Sequence, residues 1–181
     1  MLRRKRKNIL KDLIGKELIK IRHDPFDKFG QETVYGKVEL FFKDQIVLID
    51  YDYVTYPLFG NDEDDHPKFS IKLISEGQAI SALEDTAQIN ISCKRIVKNV
   101  VLVEDYIEVE WDNKKDSLRI LKSIIFQFEN GEIAFQGDYM MPLIDIYKGD
   151  NLKDKLVSPG DEFDNDPETK FKAKRYFVEL K

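Results

Sequence analysis

The fold is indicated most clearly by one ten-residue stretch, Phe126-Gln127-Phe128-Glu129-Asn130-Gly131-Glu132-Ile133-Ala134-Phe135. Apolar and polar side chains alternate on both sides of Asn-Gly, a dipeptide that takes the positive φ angles of a two-residue type I′ turn. The pattern predicts a β-hairpin that pairs Phe128 with Ile133 and Phe126 with Phe135 on a buried face. On the other face Glu129 would lie opposite Glu132, which requires good solvation or a bound cation.

Alternating apolar residues recur along the rest of the chain, so a mostly β protein is expected. The further predicted strands cover residues 16–21, 33–42, 45–53, 69–74, 89–93, 96–103, 106–111, 118–128, 132–136 and 171–180. Apolar residues at helical spacing before Gly15 predict a short N-terminal helix. Gly36 is expected to mark a bulge, residues 60–67 to form a solvated loop, and residues 75–86 to include one helical turn.

Two parts of the chain repeat the same order of strand, loop and hairpin. Ile14–Ile21 aligns with Ile96–Val103, and apolar positions of the two following hairpins match in order. This periodicity predicts an internal duplication of residues 14–54 and 96–140 within a single domain covering residues 1–181. Two such antiparallel units would form one sandwich or continue one curved sheet.

Charge is distributed unevenly along the chain of 181 residues. Its 34 acidic and 29 basic side chains give a net charge of -5, and Arg3–Lys7 is one continuous run of five cations. Without that run the remaining net charge is -5 - 5 = -10. An acidic body favours a basic protein partner, whereas nucleic acid or an acidic membrane surface would be bound only through residues 3–7.

Cysteine content and hydropathy indicate the cellular compartment in which the protein is expected. Cys93 is the only cysteine, so an intramolecular disulfide and a thiolate zinc site are excluded, and a reducing compartment, the cytoplasm, is expected. The N-terminal segment is too short and too charged for a signal-peptide core. No apolar stretch approaches the roughly 20 residues of a membrane-spanning helix.

Motifs for catalysis are weak throughout. Cys93 lies in a strand pattern and is interpreted as a structural thiol, while His23 and His66 have no partner at metal-ligand spacing. No glycine-rich phosphate loop is present. We therefore predict no catalytic residue, metal or cofactor. The alternative is a magnesium-dependent nuclease or other phosphate-processing enzyme, in which Glu108, Glu110, Asp112 and Lys114 would act together, although residues 112–116 look like a turn.

Aromatic and acidic residues cluster after each of the two repeated hairpins, and such mixtures suit a protein interface. The predicted partner-binding residues are Tyr51, Asp52, Tyr53, Tyr56, Phe59, Asp62, Glu63, Asp64, Asp65, Glu129, Glu132, Asp138 and Tyr139. The leading hypothesis is a non-enzymatic acidic protein-binding module, in its most concrete form an immunity protein that neutralises a basic toxin. A nucleic-acid or membrane adaptor acting through residues 3–7 is the third hypothesis.

Overall fold

The structure is a computed structural model that describes residues 4–24, 26–28, 31–58, 62–75, 89–111, 113–138, 141–159 and 170–181. It consists of α1 (Arg4–Lys11), β1 (Glu17–His23), β2 (Phe26–Lys28), β3 (Gln31–Tyr35), β4 (Lys37–Phe42), β5 (Ile46–Leu58), β6 (Asp62–Ile74), β7 (Ile89–Ile96), β8 (Asn99–Trp111), β9 (Lys114–Gln127), β10 (Glu132–Gly137), β11 (Leu143–Gly149) and β12 (Lys170–Glu179), with a 3₁₀ turn at Leu152–Asp154. The prediction of a mostly β, antiparallel fold with a short N-terminal helix is confirmed.

The strands form two antiparallel sheets that pack against each other. The first sheet has the order β6-β5-β4-β1-β7 and the second β12-β8-β9-β10-β11-β3-β2. Leu40 and Ile49 of the first sheet lie in one core with Leu102, Phe126 and Phe135 of the second. The two sheets therefore enclose a shared hydrophobic layer, as in a β-sandwich.

Helix α1 packs against this core. Leu10, near the end of α1, and Leu13, just after it, are fully buried in the core, while Arg6 donates a hydrogen bond to the carbonyl oxygen of Phe69.

The two sheets share one arrangement of strands. In the first sheet β1, β4, β5 and β6 lie side by side in chain order with β7 beside β1, and in the second sheet β8, β9, β10 and β11 do so with β12 beside β8. The internal duplication itself remains a prediction.

The chain changes sheets at Gly36. The predicted strand over residues 33–42 is divided there, because β3 belongs to the second sheet and β4 to the first. Gly36 has a φ of 69°, and its carbonyl oxygen accepts a hydrogen bond from the amide of Tyr51 at 2.7 Å. The prediction of a bulge was wrong. Glycine is favoured because the crossover requires a left-handed backbone.

The predicted hairpin forms with a register two residues away from the expected one. Phe126 pairs with Ile133 and Gln127 with Glu132, so the loop contains four residues rather than two. Gly131 has a φ of 87°, whereas Asn130 is not among the described residues with positive φ, so the turn is not type I′. A shift of two preserves the faces, and the expected phenylalanines and Ile133 are buried.

The predicted pairing of Glu129 with Glu132 in this hairpin does not occur. Glu132 lies opposite Gln127, whose Nε2 donates to its Oε1 at 2.6 Å, and its Oε2 accepts from the amide of Leu152 at 2.7 Å. Arg95 also donates to the carbonyl oxygen of Asn130 at 3.2 Å. These tertiary hydrogen bonds stabilise a wider loop, which local turn chemistry could not indicate.

Residues 62–67 are part of a strand, so the prediction of a solvated loop over residues 60–67 was wrong for this segment. β5 and β6 remain paired as far as Leu58 and Asp62. β4 accompanies β5 only to the pair Lys37–Asp50. Beyond it, residues 51–58 and 62–69 form a two-stranded extension, here called the ribbon. The helical turn expected in residues 75–86 falls outside the described residues, apart from Ser75.

Candidate functional site

The two clusters predicted to bind a partner meet at one end of the sandwich. Tyr51 is buried, its ring lies 4.4 Å from that of Phe69 between centroids, and its hydroxyl donates to the carbonyl oxygen of Asp138. Gly137 makes room for this ring, because a Cβ there would lie 2.2 Å from Tyr51 Cζ. Tyr51 is thus a core residue that joins the two clusters, and its ring is not an exposed anchor.

Around this junction lies a surface, here called the rim, that comprises the exposed Tyr35, Asp52, Tyr53 and Met141 and the half-buried Asp138. Tyr35 precedes the sheet crossover, Tyr53 follows the buried Tyr51 on the same face of β5, and the amide of Met141 donates to Asp138 Oδ1 at 3.2 Å. Tyr35, Tyr53 and Met141 are 41%, 45% and 50% exposed. Sequence analysis missed Tyr35, although its alternation with the buried Val34 indicates an outward position.

Asp52 is exposed beside Tyr53 at the edge of the rim, on the opposite face of β5, and its Oδ1 accepts from the Tyr53 amide at 2.8 Å. The other predicted partner residues are not brought together. Glu129 and Glu132 lie at the opposite end of β10 from Asp138, so they are not part of the rim. Two predicted residues, Phe59 and Tyr139, lie outside the described residues. For the others, Tyr56, Asp62, Glu63, Asp64 and Asp65, only the backbone within the ribbon is described.

Two consecutive carboxylates are fully buried at a β-bulge in the middle of β8. Glu104 accepts from Arg119 Nε at 2.9 Å and lies 3.4 Å from Lys7 Nζ. Asp105 accepts from Arg175 Nε and Nη2, both at 2.7 Å. Two hydrogen bonds from one arginine are a strong contact and meet the hydrogen-bonding requirement of a buried carboxylate. Lys7 of the N-terminal basic run is therefore partly a structural residue, and the run is not entirely a free arm.

Beyond this bulge, β8, β9 and β12 continue as a three-stranded sheet, here called the platform. One face carries three cross-strand rows: Lys174, Tyr106 and Arg119; Lys172, Glu108 and Ser117; and Lys170, Glu110 and Lys115. A cavity of about 560 Å³ lies over the last two rows and Tyr106. An adjoining cavity of about 350 Å³ reaches Lys174 and Tyr176. These volumes are in the range of small-ligand sites.

The residues of the nuclease hypothesis are not assembled on one face. Glu108 and Glu110 share a face of β8, but Lys114 lies opposite Trp111 and therefore projects to the other side. Asn113 has a φ of 59°, so the chain turns at that residue, but residues 114–116 belong to β9 and the prediction of a turn over residues 112–116 was wrong for them. Asp112 lies outside the described residues. The lysine beside Glu110 is Lys115, whose Nζ is 3.4 Å from Glu110 Oε2. Among the described residues, no group of three or more His, Cys, Asp or Glu side chains is placed to hold a metal ion.

Cys93 and His23 have structural environments. Cys93 packs partly buried against the core, and burial raises the pKa of its thiol, with only smaller opposing effects from Arg95 and Lys148. A protonated thiol is a poor nucleophile. His23 is buried, with Nδ1 at 2.9 Å from the carbonyl oxygen of Asp24 and Nε2 at 3.2 Å from Glu32 Oε1. Both contacts orient the ring within the fold.

Comparison with protein-family models, curated proteins and solved structures finds no match to this chain. Within the described ranges, the one α-helix is not long and apolar enough to cross a membrane. The functional argument therefore depends on the rim and the platform themselves.

Proposed function

We propose that the protein is a non-enzymatic binding module that engages a basic protein through the rim. The observation that carries this proposal is the concentration of exposed apolar side chains around one buried junction. Of the eight exposed large hydrophobic residues in the described part of the chain, Tyr35, Tyr53, Val54 and Met141 lie at the rim or directly beside it. Aromatic residues and methionine are enriched at protein interfaces, where they supply contact area.

The choice of a basic partner follows from charge. Asp138 accepts from the Met141 amide, Asp52 accepts from the Tyr53 amide at the edge of the rim, and the chain carries a net charge of -5. A carboxylate border increases the association rate with a cationic surface and fixes its orientation. The most concrete form of the proposal is an immunity protein that covers and neutralises a basic toxin. With a single cysteine, the chain suits a reducing compartment, which supports the cytoplasm as its location.

The rim is preorganised for binding because the residues beneath it are closely packed. Tyr51, Phe69, Gly137 and the Asp138 carbonyl form a packed, hydrogen-bonded unit beneath it. Side chains presented from such a base lose less conformational entropy on binding than side chains on a loose loop.

The test is site-specific photo-crosslinking with the full-length chain in its source cells. A photoreactive residue at position 53 is compared with one at position 73, because Leu73 is also strongly exposed but lies away from the rim on β6. We expect position 53 alone to capture a basic protein. The recovered partner is then titrated with Tyr53→Ala/Met141→Ala, which should weaken binding at least tenfold, about 1.4 kcal/mol. Leu73→Ala should bind as the unmodified chain does.

A charge-specific variant separates the basic-partner proposal from general stickiness. Asp52→Asn retains the Oδ1 atom that accepts from the Tyr53 amide but removes the charge. We expect slower association and a weaker dependence on salt. Binding that is indifferent to both the rim variants and Asp52→Asn would contradict the proposal. If the partner is a toxin, the chain should also suppress its activity at a molar ratio near one.

A further inference from the structure

We infer that the platform binds short single-stranded nucleic acid, at a surface separate from the rim and from the N-terminal basic run. The inference begins with a local reversal of charge. The three rows contain five cations, Lys115, Arg119, Lys170, Lys172 and Lys174, and two carboxylates, Glu108 and Glu110; with Glu104, which binds Arg119, the sum is 5 - 3 = +2. The whole chain, in contrast, has a net charge of -5.

The cations form two columns on either side of a central strand. Lys170, Lys172 and Lys174 are exposed at every second position of β12, and alternate residues of a strand share one face. Lys115 and Arg119 occupy the β9 side of the same face, where each is paired with a carboxylate, Glu110 or Glu104. The lysine column of β12 is therefore the main electrostatic track for a phosphate backbone, and the two paired cations border its far side.

Tyrosine rings supply the second element of such a site. Tyr106 is half-buried and lines both cavities. Tyr176 stands beside it, with the Arg119 guanidinium 5.4 Å and the Lys174 ammonium 5.2 Å from the ring centroid. Bases stack on aromatic rings and guanidinium planes without strong sequence preference.

The two carboxylates do not neutralise the track. Glu110 is already paired with Lys115, at 3.4 Å, on the outermost row. Glu108, between Lys172 and Ser117, is exposed and can accept a hydrogen bond from an N–H group on the edge of a base. An acidic peptide would also bind the lysines, but its carboxylates would not stack on Tyr106 as nucleic-acid bases do. The tyrosines thus favour nucleic acid over an acidic protein segment.

The experiment measures fluorescence anisotropy of a labelled oligonucleotide of about twelve thymidines with the full-length protein at low and moderate salt. Lys172→Glu/Lys174→Glu should weaken binding at least tenfold. Two lysine-to-alanine changes should reduce the salt slope by about 0.7 per lysine removed. The matched control is Lys43→Glu, since Lys43 is exposed in the β4–β5 turn of the first sheet. It should bind within about twofold of the unmodified chain, a difference of about 0.4 kcal/mol.

Three further measurements can overturn the inference. Tyr106→Ala should weaken binding of the thymidine oligomer but not of an abasic oligomer of the same length; equal effects would remove the role of stacking. Arg4→Glu/Lys5→Glu changes the exposed end of α1, and loss of binding there instead of in the platform variants would assign the site to the N-terminal run. Competition by polyglutamate as effective as by unlabelled oligonucleotide would indicate an acidic protein partner. Circular dichroism of every variant separates loss of binding from loss of fold.

Discussion

The ribbon and the platform both extend beyond the shared core, but they are attached to it differently. At the base of the ribbon, Tyr51 and Phe69 pack ring against ring with no charged group between them. At the base of the platform, Glu104 and Asp105 are fully buried and bound by arginines. One extension is held by apolar packing and the other by desolvated ion pairs.

This difference matters because the two kinds of anchor respond differently to substitution. Removing one polar atom from an apolar contact leaves the contact in place. An added atom has no space there, since protein interiors are close-packed. A buried ion pair has the opposite weakness: removing one partner leaves the other charge poorly compensated. The bases of the two extensions can therefore be tested separately.

The largest effect is expected at the platform base, from Arg175→Met. The substitution removes both hydrogen bonds from Arg175 to the fully buried Asp105 and should lower the free energy of unfolding by about 3 kcal/mol. Urea unfolding followed by circular dichroism measures it. Lys174→Met is the matched control, because Lys174 is exposed on the same strand and should cost less than about 0.5 kcal/mol. Equal costs for the two variants would mean that the ion pair is not the anchor.

The second largest effect is expected at the ribbon base, from Gly137→Ala. A Cβ at this position would lie 2.2 Å from Cζ and 2.5 Å from the hydroxyl of Tyr51, so the ring must move. Overpacking of this kind should cost about 2 kcal/mol. In a Tyr51→Ala background the same change should cost almost nothing, and a double-mutant cycle by urea unfolding measures the coupling. Independent effects would show that Gly137 does not act through Tyr51.

The alternation of apolar residues was sufficient to predict the β class and most strands, and apolar residues at helical spacing before Gly15 predicted the N-terminal helix. It also identified the correct faces of the Phe126–Phe135 hairpin, because a register error of two leaves every side chain on its own side. The register itself depended on tertiary hydrogen bonds to Glu132 and Asn130, which no local pattern reveals. β11, with the sequence Leu143–Gly149, was missed altogether despite burial of Leu143, Ile144 and Ile146.

The candidate sites show the same limit. Aromatic and acidic composition drew attention to Tyr51 and Asp138, but only the fold shows that Tyr51 is buried and that Tyr35 completes the rim. The platform is assembled from β8, β9 and β12, whose residues are separated along the chain. The net charge of the whole chain does not reveal a basic patch whose residues are far apart in the sequence. The sequence therefore indicated nucleic-acid binding only at residues 3–7, where the cations are consecutive. The described ribbon pairing likewise overrode the loop expected from its acidic composition.

A smaller effect is expected where the ribbon leaves the sheet. Lys72 Nζ lies 3.1 Å from Asp50 Oδ2, but the lysine side chain is 54% exposed. Such a pair contributes about 0.2–1 kcal/mol, so Lys72→Met should change stability little. A double-mutant cycle with Asp50→Asn should give a coupling within that range that vanishes in about 1 M salt. A coupling as large as the cost of Arg175→Met would mean that the ribbon too is held ionically.

The smallest effect on stability, and the most informative for the platform, is expected from Glu110→Gln. Its contact with Lys115 is an exposed pair at 3.4 Å, so the free energy of unfolding should change by less than about 0.5 kcal/mol. Removing the carboxylate leaves Lys115 available to a phosphate, so the oligonucleotide should bind more tightly, by about twofold to threefold, or 0.4–0.7 kcal/mol. Glu129→Gln is the control, since Glu129 is exposed in the β9–β10 loop outside the platform. Weaker binding of Glu110→Gln, with the control unchanged, would mean that the carboxylate itself contacts the ligand, and the basic columns could not then be the whole of the recognition surface.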